Sequence, residues 1–192
     1  MVTLDEINRK IITQLQLNGR MTFEKLGKLI GYTGMGVKKR YDKLLKENLI
    51  KVSTMLNAKA LQLHPAIVML EMESAEAMQN LLTRFKECPR VVNIFTTLGG
   101  YNIIALVVAE DRDTLESISI EKCSLRSGGG IRRSEFIPIG DVHYSGFLPV
   151  REFLTHKKKT ITPCNVDCRS CQRYKTLSCV GCPTTQYYKG PL

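Results

Sequence analysis

Residues 22–45 read TFEKLGKLIGYTGMGVKKRYDKLL, and this stretch decides what the front of the chain is. Thr22 stands where a helix needs an N-cap, with a side-chain oxygen able to accept from a backbone N–H in the first turn. Phe23, Leu26, Leu29 and Ile30 then recur at the three- and four-residue spacing of one helical face. Gly31 stops that helix, because glycine enters the left-handed conformation of a C-terminal cap without steric cost. Thr33 caps the next helix, whose inward positions are Val37, Tyr41, Leu44 and Leu45 and whose end falls near Asn48. Two short helices joined by a glycine turn make a helix-turn-helix unit. Upstream, Ile7, Ile11, Ile12, Leu15 and Leu17 mark one more amphipathic helix over residues 5–17, with Gly19 following it.

In such a unit the second helix enters the DNA major groove with its N-terminal residues against base edges, while basic residues along it fix the register on phosphates. The candidate DNA-binding residues are Thr33, Gly34, Met35, Gly36, Lys38, Lys39, Arg40 and Lys43. Gly34 and Gly36 permit close backbone approach to a duplex but offer no side chain for base readout, which shifts weight to DNA shape. A three-helix bundle with a solvated lysine face shows the same periodicity, so charge distribution matters. Residues 1–63 carry 12 Lys/Arg against 5 Asp/Glu, a balance of +7. Residues 64–148 carry 8 against 11, a balance of −3, and residues 149–192 carry 8 against 2, a balance of +6. Positive charge concentrated on a small domain favours polyanions through release of counterions from phosphates, with a solvated lysine-rich surface as the alternative, and the helix-turn-helix makes double-stranded DNA the expected partner.

Beyond this unit the pattern changes from helical to mixed. Ile50 to Leu56 has strand composition, and Asn57-Ala58-Lys59-Ala60 reads as a turn or hinge. Strands are predicted at residues 66–72, 91–98, 102–109 and 131–139, and helices at 75–85 and 111–123. The order βαββαβ specifies a ferredoxin-like arrangement, an antiparallel sheet with both helices on one face. The open face of so small a sheet calls for a partner, so a homodimer or larger assembly is expected. Gly128-Gly129-Gly130 precedes a strand rather than opening a helix, which rules it out as a phosphate loop.

With these elements in order, the chain resembles the Lrp/AsnC (feast/famine) transcriptional regulators over about residues 4–150. Leu4-Asp5, Ile11-Ile12, Leu15 and Gly19-Arg20 are similar to that family's first helix. Gly31-Tyr32-Thr33 with Val37, Arg40, Leu44 and Leu49-Ile50 are similar to its recognition helix. Gly99-Gly100-Tyr101-Asn102 looks like the family's G-x-Y-D turn, which borders an amino-acid effector site at a subunit interface. The resemblance implies homodimers that associate further, in many members to octamers. It makes Gly99, Gly100, Tyr101 and Asn102 candidate effector-binding residues for an amino-acid-like ligand. Asn102 stands where the family has Asp, removing a carboxylate that would pair with an amino group. A plain hairpin turn accounts for the same four residues.

The resulting fold class is α+β. It comprises a helix-turn-helix domain (1–50), a strand and hinge linker (51–63), a ferredoxin-like effector-binding and oligomerisation domain (64–150), and a basic cysteine-rich tail (151–192). Haem-pathway decarboxylases share a two-domain fold of this kind, so an enzyme is the alternative. It would need a basic, histidine-bearing cavity, for which His64 and His143 are the candidates in the second domain. The basic cluster Lys38-Lys39-Arg40 would have no evident use in such an enzyme, and a non-enzymatic regulator is the expectation.

The tail carries its own chemistry. Cys164-x3-Cys168-x2-Cys171-x7-Cys179-x2-Cys182 brings two CxxC pairs within reach of one ion, the usual way a short segment builds a tetrahedral thiolate site. Cys168, Cys171, Cys179 and Cys182 are the preferred ligands, with Cys164 as an alternate fourth. Thiolates take Zn²⁺ and iron–sulfur clusters alike, and structural zinc is the simpler expectation for a segment too short to build a core. A redox or metal switch and phosphate contacts by the tail's Arg and Tyr residues are the sharper alternatives. Cys88 and Cys123 fall on helical stretches and read as ordinary, partly buried thiols. No apolar run approaches the roughly 20 residues of a membrane helix and no basic-then-apolar leader opens the sequence, so a cytoplasmic protein without membrane partners is expected.

Overall fold

A computed structural model describes residues 4–155 and 157–192 of the chain. It divides into two compact units, Met1–Thr54 and Met55–Leu192.

The first unit is a trihelical domain in which each helix begins on a side-chain cap. Asp5 caps α1 (Glu6–Leu17) by accepting from the Asn8 N–H at 2.7 Å. Thr22 caps α2 (Phe23–Ile30) through the Lys25 N–H, and Thr33 caps α3 (Gly34–Lys46) through the Gly36 N–H. Gly31 closes α2 in the left-handed conformation at φ 75°, as the sequence leads one to expect. Ile11, Leu26, Val37 and Leu44 form the buried centre, ringed by Ile7, Ile12, Leu15, Phe23 and Ile30. Gly27 sets the spacing of the pair α2 and α3. A Cβ on it would lie 2.5 Å from the Tyr32 carbonyl oxygen, so only glycine lets the turn fold back this tightly.

In the second unit, β2 (His64–Met72), β3 (Val91–Thr96), β4 (Ile103–Ala109) and β5 (Ile131–Pro138) form one antiparallel sheet in the order β3-β4-β2-β5. With α4 (Ala75–Phe85) and α5 (Arg112–Ile120) this is the ferredoxin-like βαββαβ arrangement. Alternation along β2 sends Ala66, Val68, Leu70 and Met72 to the core, where Leu81 and Phe85 of α4 and Leu115 and Ile118 of α5 meet them.

Three expectations need correction. The strand expected over residues 50–56 is reduced to β1 (Leu56–Asn57), paired with β6 (Phe147–Leu148), because, among the described residues, 50–55 have no neighbouring strand to complete a ladder. The helix expected to reach Cys123 stops at Ile120 and gives way to a 3-10 turn capped by Ser124. Neither Cys88 nor Cys123 is therefore helical. The tail, drawn from sequence as its own segment, is built into the second compact unit. Within it α6 (Gln172–Lys175) is a single turn. Cys164 enters the sheet core, and Leu192 packs with Val92, Val108 and Val150.

Candidate nucleic-acid interface and cysteine-lined cavity

The start of α3 presents a cationic, open surface. Met35 is 80% exposed, and Lys38, Lys39 and Lys43 all face solvent. The first-turn N–H groups of a helix and its dipole both favour an anion at this end. Thr33 is committed to the cap. Arg40 differs from its basic neighbours. Its guanidinium donates to Asp5 at 2.6 Å and to Asn8 at 3.2 Å, and lies over the Tyr32 ring, locking α3 to the start of α1. The Asn8 N–H and then Arg40 hold the Asp5 carboxyl below its usual range. The glycines also have an internal reason: a Cβ on Gly34 would press on the Glu24 backbone at 3.2 Å, and one on Gly36 on the Thr33 hydroxyl at 3.2 Å.

The turn before β4 is engaged with its own sheet. Asn102 accepts from the Met72 N–H at 2.8 Å and donates to the Met72 carbonyl at 2.9 Å. That two-way bridge needs an amide, since a carboxylate can accept but not donate, and it gives the Asn in place of Asp a structural reason. Tyr101 donates to Glu135 and lies under the Arg133 guanidinium, while Arg133 also faces Glu71 at 3.5 Å. Gly100 abuts Arg133, where a Cβ would come within 3.3 Å.

A different feature dominates the second unit. Cys88, Cys123, Cys164, Cys168, Cys171, Cys179 and Cys182 all line one cavity of about 190 Å³. The expected tail thiols are thus brought together, and two more join them from the turns that follow α4 and α5. All seven are free thiols. Among the described residues no three His, Cys, Asp or Glu side chains are drawn together as tightly as one metal ion would require. Burial pushes the Cys88 and Cys168 thiols up to about 12, with neighbouring thiols adding to it. Cys123 and Cys164 move the same way, again chiefly through burial.

What holds the tail here was invisible in the sequence. Arg90, before β3, donates to both oxygens of Glu110 at 3.0 Å and to the Gly181 carbonyl at 2.5 Å. The pair is buried, with side-chain exposures of 7% and 1%. Tyr188 adds a hydrogen bond to Glu110 at 2.7 Å. Burial opposes the Arg90 charge, but Glu110 and the nearby thiols outweigh it and its pKa is raised. On α5, Ser117 donates to the Ser178 carbonyl, and Arg173 reaches Ser117, Asp113 and Glu116. No spacing rule marks Arg90 or Glu110, whose partners lie 20 and 91 residues away.

Comparison with known proteins decides the family. Residues 4–45 match the AsnC-type helix-turn-helix domain, and residues 65–135 match the Lrp/AsnC ligand binding domain. PH0140 of Pyrococcus horikoshii, named an uncharacterized HTH-type transcriptional regulator, is 30% identical over 151 residues, covering 78% of this chain and 94% of its own. The chain belongs to the Lrp/AsnC family. It is a DNA-binding transcriptional regulator of the Lrp/AsnC type with a ligand-binding domain. Rv2324 of Mycobacterium tuberculosis, named an HTH-type transcriptional regulator, is 29% identical over 134 residues, with 69% of this chain and 88% of its own covered. Among solved structures, E. coli AsnC superposes with TM-score 0.65 at 19% identity, over 74% of this chain and 95% of its own. The regulator NMB0573 of Neisseria meningitidis, solved as an L-Met complex, superposes with TM-score 0.64 at 19% identity, over 79% and 99%. Both support the Lrp/AsnC fold. Both domain matches end before the cysteine tail begins. None of these relatives supports the decarboxylase alternative. His64 borders a hollow of about 390 Å³, but the Lys59 ammonium beside it faces Asp141 at 3.9 Å, which offsets its charge. Among the described residues no helix is long and apolar enough to cross a membrane.

Proposed function

We propose that α3 reads DNA through Met35 and the backbone at Gly34 and Gly36, with Lys38, Lys39 and Lys43 on phosphates and Arg40 acting as an internal strut. The observation that carries this is the contrast among the four basic residues: Lys38, Lys39 and Lys43 are exposed, Lys43 with only a 3.8 Å surface ion pair to Glu47, while Arg40 is tied to Asp5 and Asn8. With one apolar side chain and two glycines at the base-facing end, direct readout is sparse. DNA shape supplies much of the sequence preference.

A second copy packs on the sheet face turned away from α4 and α5. Ile67, Met69 and Ile104 are half-exposed there, beside Phe95 and Ile137 at 53% and 44% exposure. Paired helix-turn-helix units then favour two half-sites of opposed orientation. An amino-acid-like effector meets the Tyr101, Arg133 and Glu135 group rather than Asn102, whose amide is engaged on both sides by the Met72 backbone. Selection from a random duplex pool with the full chain tests the reading. Enrichment of a roughly palindromic site, bound by a dimer in sedimentation, is the expected outcome. Recovery of unselected sequence at every round would overturn it.

A further inference from the structure

The seven cysteines stand around a space rather than a point. A structural zinc ion takes four ligands at about 2.3 Å and closes completely around itself. Here three segments contribute thiols to a cavity of about 190 Å³: Cys88 after α4, Cys123 after α5, and five from the tail. Four thiolates drawn in on a zinc ion leave no such space between them, whereas an iron–sulfur cluster, also held by four thiolates, needs one. Thiolates are soft donors, among the described residues no histidine borders the cavity, and this donor set is the one that metal–sulfur clusters use. The walls between the thiols include Val68, Phe85, Val107 and Ile118, an apolar lining that excludes water from whatever is bound. Arg90 also borders the cavity, placing a buried guanidinium beside a centre whose thiolate ligands bring negative charge.

We propose that this cavity is an iron–sulfur cluster site whose ligands come from both sides of it, Cys88 and Cys123 of the sheet domain acting with cysteines of the tail. Each thiol that becomes a ligand gives up its proton on binding. The cluster staples the tail to the sheet domain, giving a segment of this length the fastening it needs to fold. This inference does not depend on how α3 reads DNA.

The test is made on the full chain purified without oxygen, with iron, acid-labile sulfide and zinc quantified beside the visible spectrum. Iron and sulfide in matching, stoichiometric amounts with broad visible absorption is the expected result. A colourless protein carrying zinc, a metal-free protein, or one whose cysteines are recovered as disulfides overturns the proposal. The shared-ligand claim is read in the double variant Cys88→Ser with Cys123→Ser, expected to lose at least tenfold of its iron and sulfide. An unchanged spectrum and iron content in that variant confines the cluster to the tail and overturns the claim. Alkylation of the unaltered chain with mass mapping guards against misfolding of the variant. Protection of Cys88 and Cys123 that disappears on iron chelation supports the claim, whereas reaction before chelation, or protection that survives it, overturns it. DNA affinity measured on the same samples keeps the two readings apart.

Discussion

The helix-turn-helix unit and the cysteine tail are both short and basic, yet they are held in opposite ways. In the first unit every helix starts on a cap three residues from its partner, and the core is one stripe per helix. In the tail the fastening groups come from elsewhere: Arg90 and Glu110 for Gly181 and Tyr188, Ser117 for Ser178, and the sheet core for Cys164. Local signals make a fold legible and also self-sufficient. A segment without them takes its shape from the surface it lies on.

The largest effect is expected where that surface holds the tail. Glu110→Ala leaves the Arg90 charge buried without its carboxylate and also removes the acceptor of Tyr188. Breaking such a pair costs about 3–5 kcal/mol, to be read by chemical denaturation of the second unit. Limited proteolysis should cut the variant first in the tail, and a tail as protected as in the parent would show that the fastening lies elsewhere.

A smaller effect is expected at the glycine turn. Gly27→Ala places a methyl 2.5 Å from the Tyr32 carbonyl, a clash with backbone that cannot swing away. Overpacking of this kind costs about 1–3 kcal/mol and should lower the unfolding midpoint of the first unit while leaving the second unchanged. A gain in stability, as helix propensity alone predicts for Gly to Ala, would mean that the turn has room.

The smallest effect concerns the strut. The Asp5 pKa is lowered in the folded chain, so its contribution is present above the ordinary carboxylate range and is lost as pH falls through the lowered value. Asp5→Asn keeps a capping side chain but removes the charge facing Arg40. The variant should be slightly less stable than the parent at neutral pH, with the difference vanishing in acid. A gap that persists at low pH would assign the effect to the cap instead.

The same contrast explains how much of the molecule was legible. The caps Thr22 and Thr33 stand where the sequence places them, whereas Asp5, read inside the first helix, turns out to cap it; α4 falls where periodicity places it, at Ala75–Phe85. The 50–56 stretch misled because β-rich composition does not reveal whether a partner strand exists. Gly27 lay unnoticed inside a helical pattern, since only the three-dimensional approach of Tyr32 shows why it is there. The tail cysteines were visible as a cluster. Cys88 and Cys123 were not, because 35 residues separate them from each other and no motif links either to the tail.

If the exposed lysines of α3 meet phosphates, the salt dependence of DNA binding shows it most directly. Affinity of the full chain and of the Lys38→Ala, Lys39→Ala double variant is measured for one duplex over a range of salt. Loss of two phosphate contacts should weaken binding and make the log–log salt slope shallower by about two. Parental affinity with an unchanged slope would contradict the account and leave these lysines as a solvated face.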